Sequence, residues 1–398
     1  MRLTIERWDI PPGRRILVSS DIHGHLALLK QLLKKAEYTE DDILILVGDL
    51  VEKGPDSLGT LRYVMDLCKR HTVQVLAGNV DLWRVQMVES LTDGTAQDFY
   101  SYLLKMRQWK GTSLYDEMAR ELGRPLESPQ DVLEAKEDIM QAFHAELEFL
   151  RTRPSILETE RYIFVHGGLP TTDLESLRGR DAFEVLKVDR FMPAGLQFDK
   201  YVVVGHWPVV LYGRQIAQSN PIIDKRERII SIDGGCGIKT DGQLNMLIIP
   251  EGGCEDPDKL SYLYCDGFPV YEAASAQEES RTSINIRWGD NEVRLLSRGE
   301  ESTYVEHVSS GYRLWIDNEH LREERGNVVC EDYTDYRLAV QPGDKLSLVQ
   351  KTEKGCLVKK GGVTGWYHGQ LRLLPGADHG SLTSGRIGSW GGTVRSGH

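Results

Sequence analysis

The sequence predicts an α/β fold interrupted by a helical insertion and followed by a β-rich region, and three observations carry that reading. Several continuous apolar runs of strand length end in a Gly beside an acid, an amide or a His. The spacing between the first two runs leaves room for one crossover helix, so strand, helix and strand form a right-handed parallel unit. Beyond Pro250 the texture changes to short β-like runs.

The first run, Ile16-Leu17-Val18-Ser19-Ser20, ends in Asp21-Ile22-His23-Gly24-His25, and a helical pattern of Leu26, Leu29, Leu32 and Leu33 follows at once. Open α/β sheets place ligands at the carboxyl ends of their strands, where Asp21 and His23 can face one crevice. An isolated Asp-x-His is a weak metal signal. The second run, Ile43 to Val47, continues into Gly48-Asp49-Leu50-Val51-Glu52-Lys53-Gly54-Pro55-Asp56-Ser57. The third, Val73 to Ala77, ends in Gly78-Asn79-Val80-Asp81. Each polar tip taken alone reads as a turn residue or helix cap, Asn79 most of all. Jointly, Asp21, His23, Asp49 and Asn79 are delivered to one sheet edge.

From Leu82 to about Arg153 the pattern becomes helical and charged, with helices expected over Asp98 to Trp109 and Asp131 to Leu150. This insertion reads equally as a lid over the site or as a solvated appendage. His144, inside one of these helices, reads as a surface or packing residue. The sheet then resumes: Tyr162 to Val165 leads to His166-Gly167-Gly168-Leu169-Pro170, and Tyr201 to Val204 leads to Gly205-His206-Trp207-Pro208. Ile229 to Cys236 and Gln243 to Ile249 add two further strand patterns. Two carboxylates, one amide and three imidazoles form a mixed oxygen and nitrogen set, which suits a pair of divalent transition ions such as Mn²⁺, Fe or Zn²⁺.

At 398 residues the chain exceeds one core, so more than one domain is expected. With 40% hydrophobic and 27% charged residues the composition is that of an ordinary globular protein. No apolar run approaches a membrane span and Met1 to Gly13 carries no leader pattern, so a cytoplasmic location is expected. The six cysteines lack Cys-x-x-Cys spacing and are expected to be reduced thiols. A net charge of −12 disfavours membrane surfaces and broad nucleic-acid binding.

Tyr262 to Val270 reads as a last strand closing the α/β unit, so that unit is expected to span 1–271, with its insertion at about 82–153. A polar linker at 272–283 follows, and then a β region at 284–375. Gly311-Tyr312-Arg313-Leu314-Trp315 with Leu321 echoes Gly362-Val363-Thr364-Gly365-Trp366 with Leu371, an internal repeat. The second copy, preceded by Gly343 to Val349, resembles bacterial SH3-like barrels, modules that dock protein or peptide partners. Trp315, Trp366 and Tyr367 read either as a recognition surface or as barrel core. The Gly/Ser-rich tail 376–398 is expected to be disordered.

The series Asp21-x-His23, Gly48-Asp49, Gly78-Asn79, His166-Gly167-Gly168 and Gly205-His206 resembles the calcineurin-like metallophosphoesterase superfamily. The neighbourhoods of Asp49 and His166 are similar to the branch of protein serine/threonine phosphatases and symmetrical diadenosine tetraphosphatases. That resemblance covers residues 15–250 and implies a two-sheet α/β sandwich with outer helices. It also implies one metal on Asp21, His23 and Asp49, and a second on Asp49, Asn79, His166 and His206. The implied enzyme is a two-metal phosphoric ester hydrolase with Mn²⁺ as the first expectation, in which a metal-bridging hydroxide attacks a phosphorylated small molecule, nucleotide or phosphoprotein. Lys53 stands where the phosphoprotein phosphatases carry an arginine, and Arg190 is a candidate second clamp on phosphoryl oxygens. The family's usual Gly-Asn-His becomes Gly78-Asn79-Val80 here, which removes the imidazole that protonates the departing oxygen. That favours acidic leaving groups or another donor, for which His25 is the candidate. The alternative is a non-catalytic scaffold that recognises a phosphate and docks partners through the SH3-like region.

Overall fold

The computed structural model describes residues 1–11 and 13–373, so the 376–398 tail lies outside the described residues. Ile16–Ser19, Ile43–Val47 and Thr72–Leu76 are parallel neighbours in a five-stranded sheet that Leu244–Ile249 and Ser261–Cys265 extend antiparallel. A six-stranded sheet runs Ile5–Arg7, Ile156–Glu158, Tyr162–Val165, Tyr201–Val204, Ile229–Ser231, Ile222–Asp224.

The apolar runs are continuous because both faces of these strands are covered. Alternate residues Ile16, Val18, Ile43, Ile45 and Val47 of one sheet meet Phe164, Val203 and Ile230 of the other in a core between the sheets. The intervening Leu17, Leu44 and Leu46 face outward against α1 (Leu26–Lys35) and α2 (Ser57–Arg70) through Leu29, Leu32, Leu61 and Val64.

The insertion joins that outer core rather than standing off in solvent. It comprises α3 (Asn79–Glu89), α4 (Asp93–Lys110), α5 (Leu114–Glu121), α6 (Pro129–Ala142) and α7 (His144–Arg151). Phe99, Leu103, Tyr115, Val132, Ile139 and Leu150 share one cluster with α1 and α2. The single helix expected over Asp131 to Leu150 is two, parted at Phe143, and His144 is exposed. A buried ion pair pins the insertion to the loop after Ile43–Val47. Arg84 Nε donates to Glu52 Oε1 at 2.7 Å, and the same oxygen accepts from the Leu114 amide at 3.0 Å. Tyr102 donates to Glu52 Oε2 at 3.0 Å. Replacing Arg84 by Leu leaves Glu52 uncompensated and is expected to cost about 3–5 kcal/mol in urea unfolding. A loss under 1 kcal/mol would show that Glu52 finds other support.

The stretch Tyr262 to Val270 is not one strand. Ser261–Cys265 closes the catalytic sheet, while Val270–Ala273 crosses into a second six-stranded sheet with Leu371–Leu373, Lys345–Thr352, Gly355–Lys360, Val363–Tyr367 and Ala217–Gln218. Asp266 and Gly267 make the break: the Asp266 carboxylate caps the Phe268 amide and Gly267 takes a positive φ of 72°. The two repeat copies lie in different sheets, each over its own small core. Tyr367 is fully buried, Trp366 is half-buried with its indole N–H on Thr334 O, and Trp315 is exposed. All six cysteines are free thiols. Among the described residues no helix is long and apolar enough to cross a membrane.

Candidate metal centre

Five strand ends converge. Ile16–Ser19 delivers Asp21 and His23, Ile43–Val47 delivers Asp49, Thr72–Leu76 leads to Asn79, Tyr162–Val165 to His166, and Tyr201–Val204 to His206. Asp21, His23, Asp49 and His206 all hold positive φ, between 47° and 62°. Non-glycine residues adopt that region uncommonly, Asp and His more readily than most, and such residues cluster at functional sites. The glycines ahead of Asn79 and His206 have a steric cause. A Cβ on Gly78 would lie 2.2 Å from Asp49 Oδ1, and one on Gly205 would lie 2.4 Å from Asp21 Oδ2.

Ligand atoms of Asp21, His23 and Asp49 all lie within 4.8 Å of one another. His23 Nε2 is 3.8 Å from Asp21 Oδ1 and 3.8 Å from Asp49 Oδ2. Asp21 Oδ1 and His23 Nε2 are buried without a hydrogen-bond partner among the described residues, while Asp21 Oδ2 accepts from the His206 amide at 3.0 Å. Two orphaned polar atoms aimed at one another's neighbourhood cost several kcal/mol unless something binds between them. A divalent cation fits that donor set. Beside it, His166 Nδ1 lies 2.8 Å from Val47 O, and its Nε2 faces Asn79 Oδ1 at 2.9 Å and Asp49 Oδ1 at 3.4 Å. His206 Nε2 lies 3.0 Å from Asp189 Oδ1, and the rings of His166 and His206 are 5.3 Å apart.

The electrostatics express a cluster of charges in a buried site. Burial opposes the charged ring of His166, but the Asp49 and Asp21 carboxylates outweigh it and push the imidazole up to about 10. Burial likewise works against the Asp49 carboxylate, yet His166 and His23 hold it well below the usual range. Burial, with the Lys53 charge behind it, lowers His23, and burial with Asp49 raises Asp21. Lys53 makes no ion pair among the described residues, yet its charge acts on His23, Asp49 and Asp233. His25 Nδ1 lies 2.8 Å from His23 O, and burial depresses its basicity. A neutral ring bonded to a carbonyl in that way leaves Nε2 as an acceptor. Arg190 is exposed next to Asp189. Val80 is buried, its amide donating to Asp49 Oδ1 at 2.9 Å.

Three residues here escaped the sequence reading. Asp233, fully buried, accepts from the Gly235 amide at 2.7 Å through Oδ1, while its Oδ2 has no partner among the described residues. Burial and the Asp21 charge raise its carboxyl well above the ordinary range. Its signal was available, since Asp233-Gly234 repeats the strand-end pattern. Asp189 and Lys110 had none. Lys110, at the end of α4, is lowered to about 8 by burial, and its charge and that of Lys53 repel each other.

A sequence profile of the calcineurin-like phosphoesterases matches residues 14–229. The symmetrical bis(5'-nucleosyl)-tetraphosphatase of Salmonella paratyphi C is 30% identical over 177 residues, 43% of this chain and 50% of that protein. The enzyme of the same name from Vibrio parahaemolyticus is 30% identical over 163 residues, 40% of this chain and 47% of that protein. The one from Buchnera aphidicola (subspecies Schizaphis graminum) is 35% identical over 89 residues, 22% of this chain and 32% of that protein. The chain thus spans a third to a half of the length of these relatives. A solved putative diadenosine tetraphosphatase is 19% identical with a TM-score of 0.41, covering 66% of this chain and 98% of that one. A protein serine/threonine phosphatase from Saccharomyces cerevisiae is 15% identical with a TM-score of 0.40, covering 67% and 84%. With its profile matched over more than half of its length, the chain belongs to the calcineurin-like phosphoesterase family.

Proposed function

We propose that this protein is a two-metal hydrolase of phosphoric esters or anhydrides, acting on nucleotide-type substrates ahead of phosphoproteins. The observation that carries the reading is the buried meeting of Asp21 Oδ1, His23 Nε2 and Asp49 Oδ2, two of them without partners among the described residues. Asp21, His23 and Asp49 would hold one ion, with Asp49, Asn79, His166 and His206 holding the other. Two bound divalent ions, Mn²⁺ in our reading, supply charge neutralisation and an activated water. The rest falls to the chain. Asp189 orients His206 through its Nε2 contact, as a carboxylate behind a metal-binding imidazole does. Lys53, with no carboxylate paired to it among the described residues, is available to phosphoryl oxygens. Arg190 would add a second cation from the exposed rim, and the SH3-like reading of the β region rests on its two separate small cores. The activity for which the bacterial relatives are named supports the nucleotide preference.

The test is turnover of p-nitrophenyl phosphate and its diester with and without chelator, alongside metal analysis. The expected result is two ions per chain and loss of turnover on chelation. Metal-independent turnover at the full rate would overturn the two-metal reading.

Val80 sharpens the substrate class. A general acid contributes roughly 10²- to 10⁴-fold, and valine has no proton to give. The rate is therefore expected to fall steeply as the leaving-group pKa rises. Asp81 Oδ1 already accepts from the Leu50 and Val51 amides at 2.9 and 3.2 Å, so it orients a new imidazole poorly. Val80→His is expected to raise alkyl monoester turnover by only about tenfold, with aryl phosphates little changed. Fast hydrolysis of phosphoserine peptides by the unmodified protein would mean another donor. His25, the candidate from the sequence, already gives its ring proton to the His23 carbonyl, so His25→Ala is expected to leave that hydrolysis unchanged; a loss confined to the peptide substrate would show that the ring gains a second proton when substrate binds.

A further inference from the structure

The β-rich region packs against the residue that follows the candidate ligand His206. Trp207 directly follows His206, and its ring lies 5.5 Å from that of Trp288 at a 52° tilt. Trp207 is nearly buried, but Trp288 is 57% exposed although it sits against another ring. Its turn does not wander. Arg287, the residue before it, is buried and bonds Asp241 Oδ2 at 3.1 Å and lies 3.4 Å from Asp332 Oδ2. Lys239 meets that same Asp332 oxygen at 3.0 Å, and the Trp288 amide donates to Asp332 Oδ1 at 3.3 Å. Asn285 Nδ2 donates to Gly213 O at 2.7 Å and Val210 O at 3.0 Å, pinning the preceding strand to the segment after His206. An aromatic ring fixed from behind by buried charges, and bare on much of its surface, is preorganised for stacking.

We propose that Trp288 is the stacking platform for the nucleobase of the substrate, so that the β-rich region supplies part of the substrate site. The proposal rests on the phosphohydrolase reading above. Phosphate groups would lie at the centre that holds His206, and the base would extend past Trp207 onto the bare indole face. A nucleoside polyphosphate is the chemistry that unites the two features, because it carries a planar aromatic group and a leaving group that needs no proton from position 80. Base stacking on an aromatic side chain is worth on the order of tenfold in affinity or more.

The test is calorimetric binding to the full-length, Mn²⁺-loaded protein of a matched, non-hydrolysable pair: adenosine 5′-(α,β-methylene)diphosphate and methylenediphosphonate. The adenosine compound is expected to bind about tenfold tighter or better. Trp288→Ala removes that advantage, and Trp288→Phe keeps most of it. Equal affinity of the pair for the unmodified protein overturns the proposal. So does an advantage that survives in Trp288→Ala, or an equal loss for both ligands, which would mark a structural role. If Trp288→Ala weakens phenylphosphonate but not the adenosine compound, the platform takes an aryl group from a peptide instead, and the nucleobase assignment falls. Turnover of p-nitrophenyl phosphate by the unmodified protein reports separately on the hydrolase reading.

Discussion

Replacing Asp49 by Asn is expected to abolish metal-dependent hydrolysis, lowering turnover by at least about a thousandfold, which corresponds to roughly 4 kcal/mol of barrier. Asp49 stands between the two halves of the cluster. Its Oδ2 lies 3.8 Å from His23 Nε2 and its Oδ1 lies 3.4 Å from His166 Nε2. A group in that position can serve both ions in our reading, so its amide weakens both at once. Metal content should fall below one ion per chain, and Asp21 and Asp233 then remain as buried carboxyls that gain nothing from a cation. Activity that survives both this change and a chelator would end the two-metal account.

Deleting residues from 284 onward is expected to cost far more than the few-fold loss that separable docking modules would produce. The sequence points to separability, since none of the candidate ligands lies beyond His206. The contacts weigh against it. Asp241, on the loop that follows Asp233, is 1% exposed and pairs with Arg287, while the buried Lys359 ammonium donates to its carbonyl. The strand Ala217–Gln218 pairs only with Val363–Tyr367 among the named strands. The loop held in this way also abuts the site, since a Cβ on Gly237 would fall 2.7 Å from His25 Cε1 and 3.0 Å from Lys53 O. Truncation should therefore lower metal binding and the unfolding midpoint together. Arg287→Leu isolates the cause, because a buried charge stripped of its partner costs about 3–5 kcal/mol. Near-native turnover in the truncated protein would restore the modular view.

The sequence by itself determined the strands and most of the polar set at their ends. Runs such as Ile43 to Val47 are apolar at every position because both faces are covered, and a Gly with an acid, amide or His at the end of such a run marks where backbone must pass close to a polar crevice. Hence the placing of Asp21, His23, Asp49, Asn79, His166 and His206 at strand ends was legible from their joint pattern, while their reading as ligands came with the family resemblance. Only the tertiary structure decided which groups face them. Asp189 meets His206 across 17 residues, Glu52 finds Arg84 across 32, and Arg287 finds Asp241 across 46. Such pairs leave no periodic trace, because a long-range contact depends on how whole elements pack and not on the order of neighbours along the chain. The same holds for Trp288, which carries no motif in the sequence and comes to lie beside the residue after His206 only when its turn docks on Trp207.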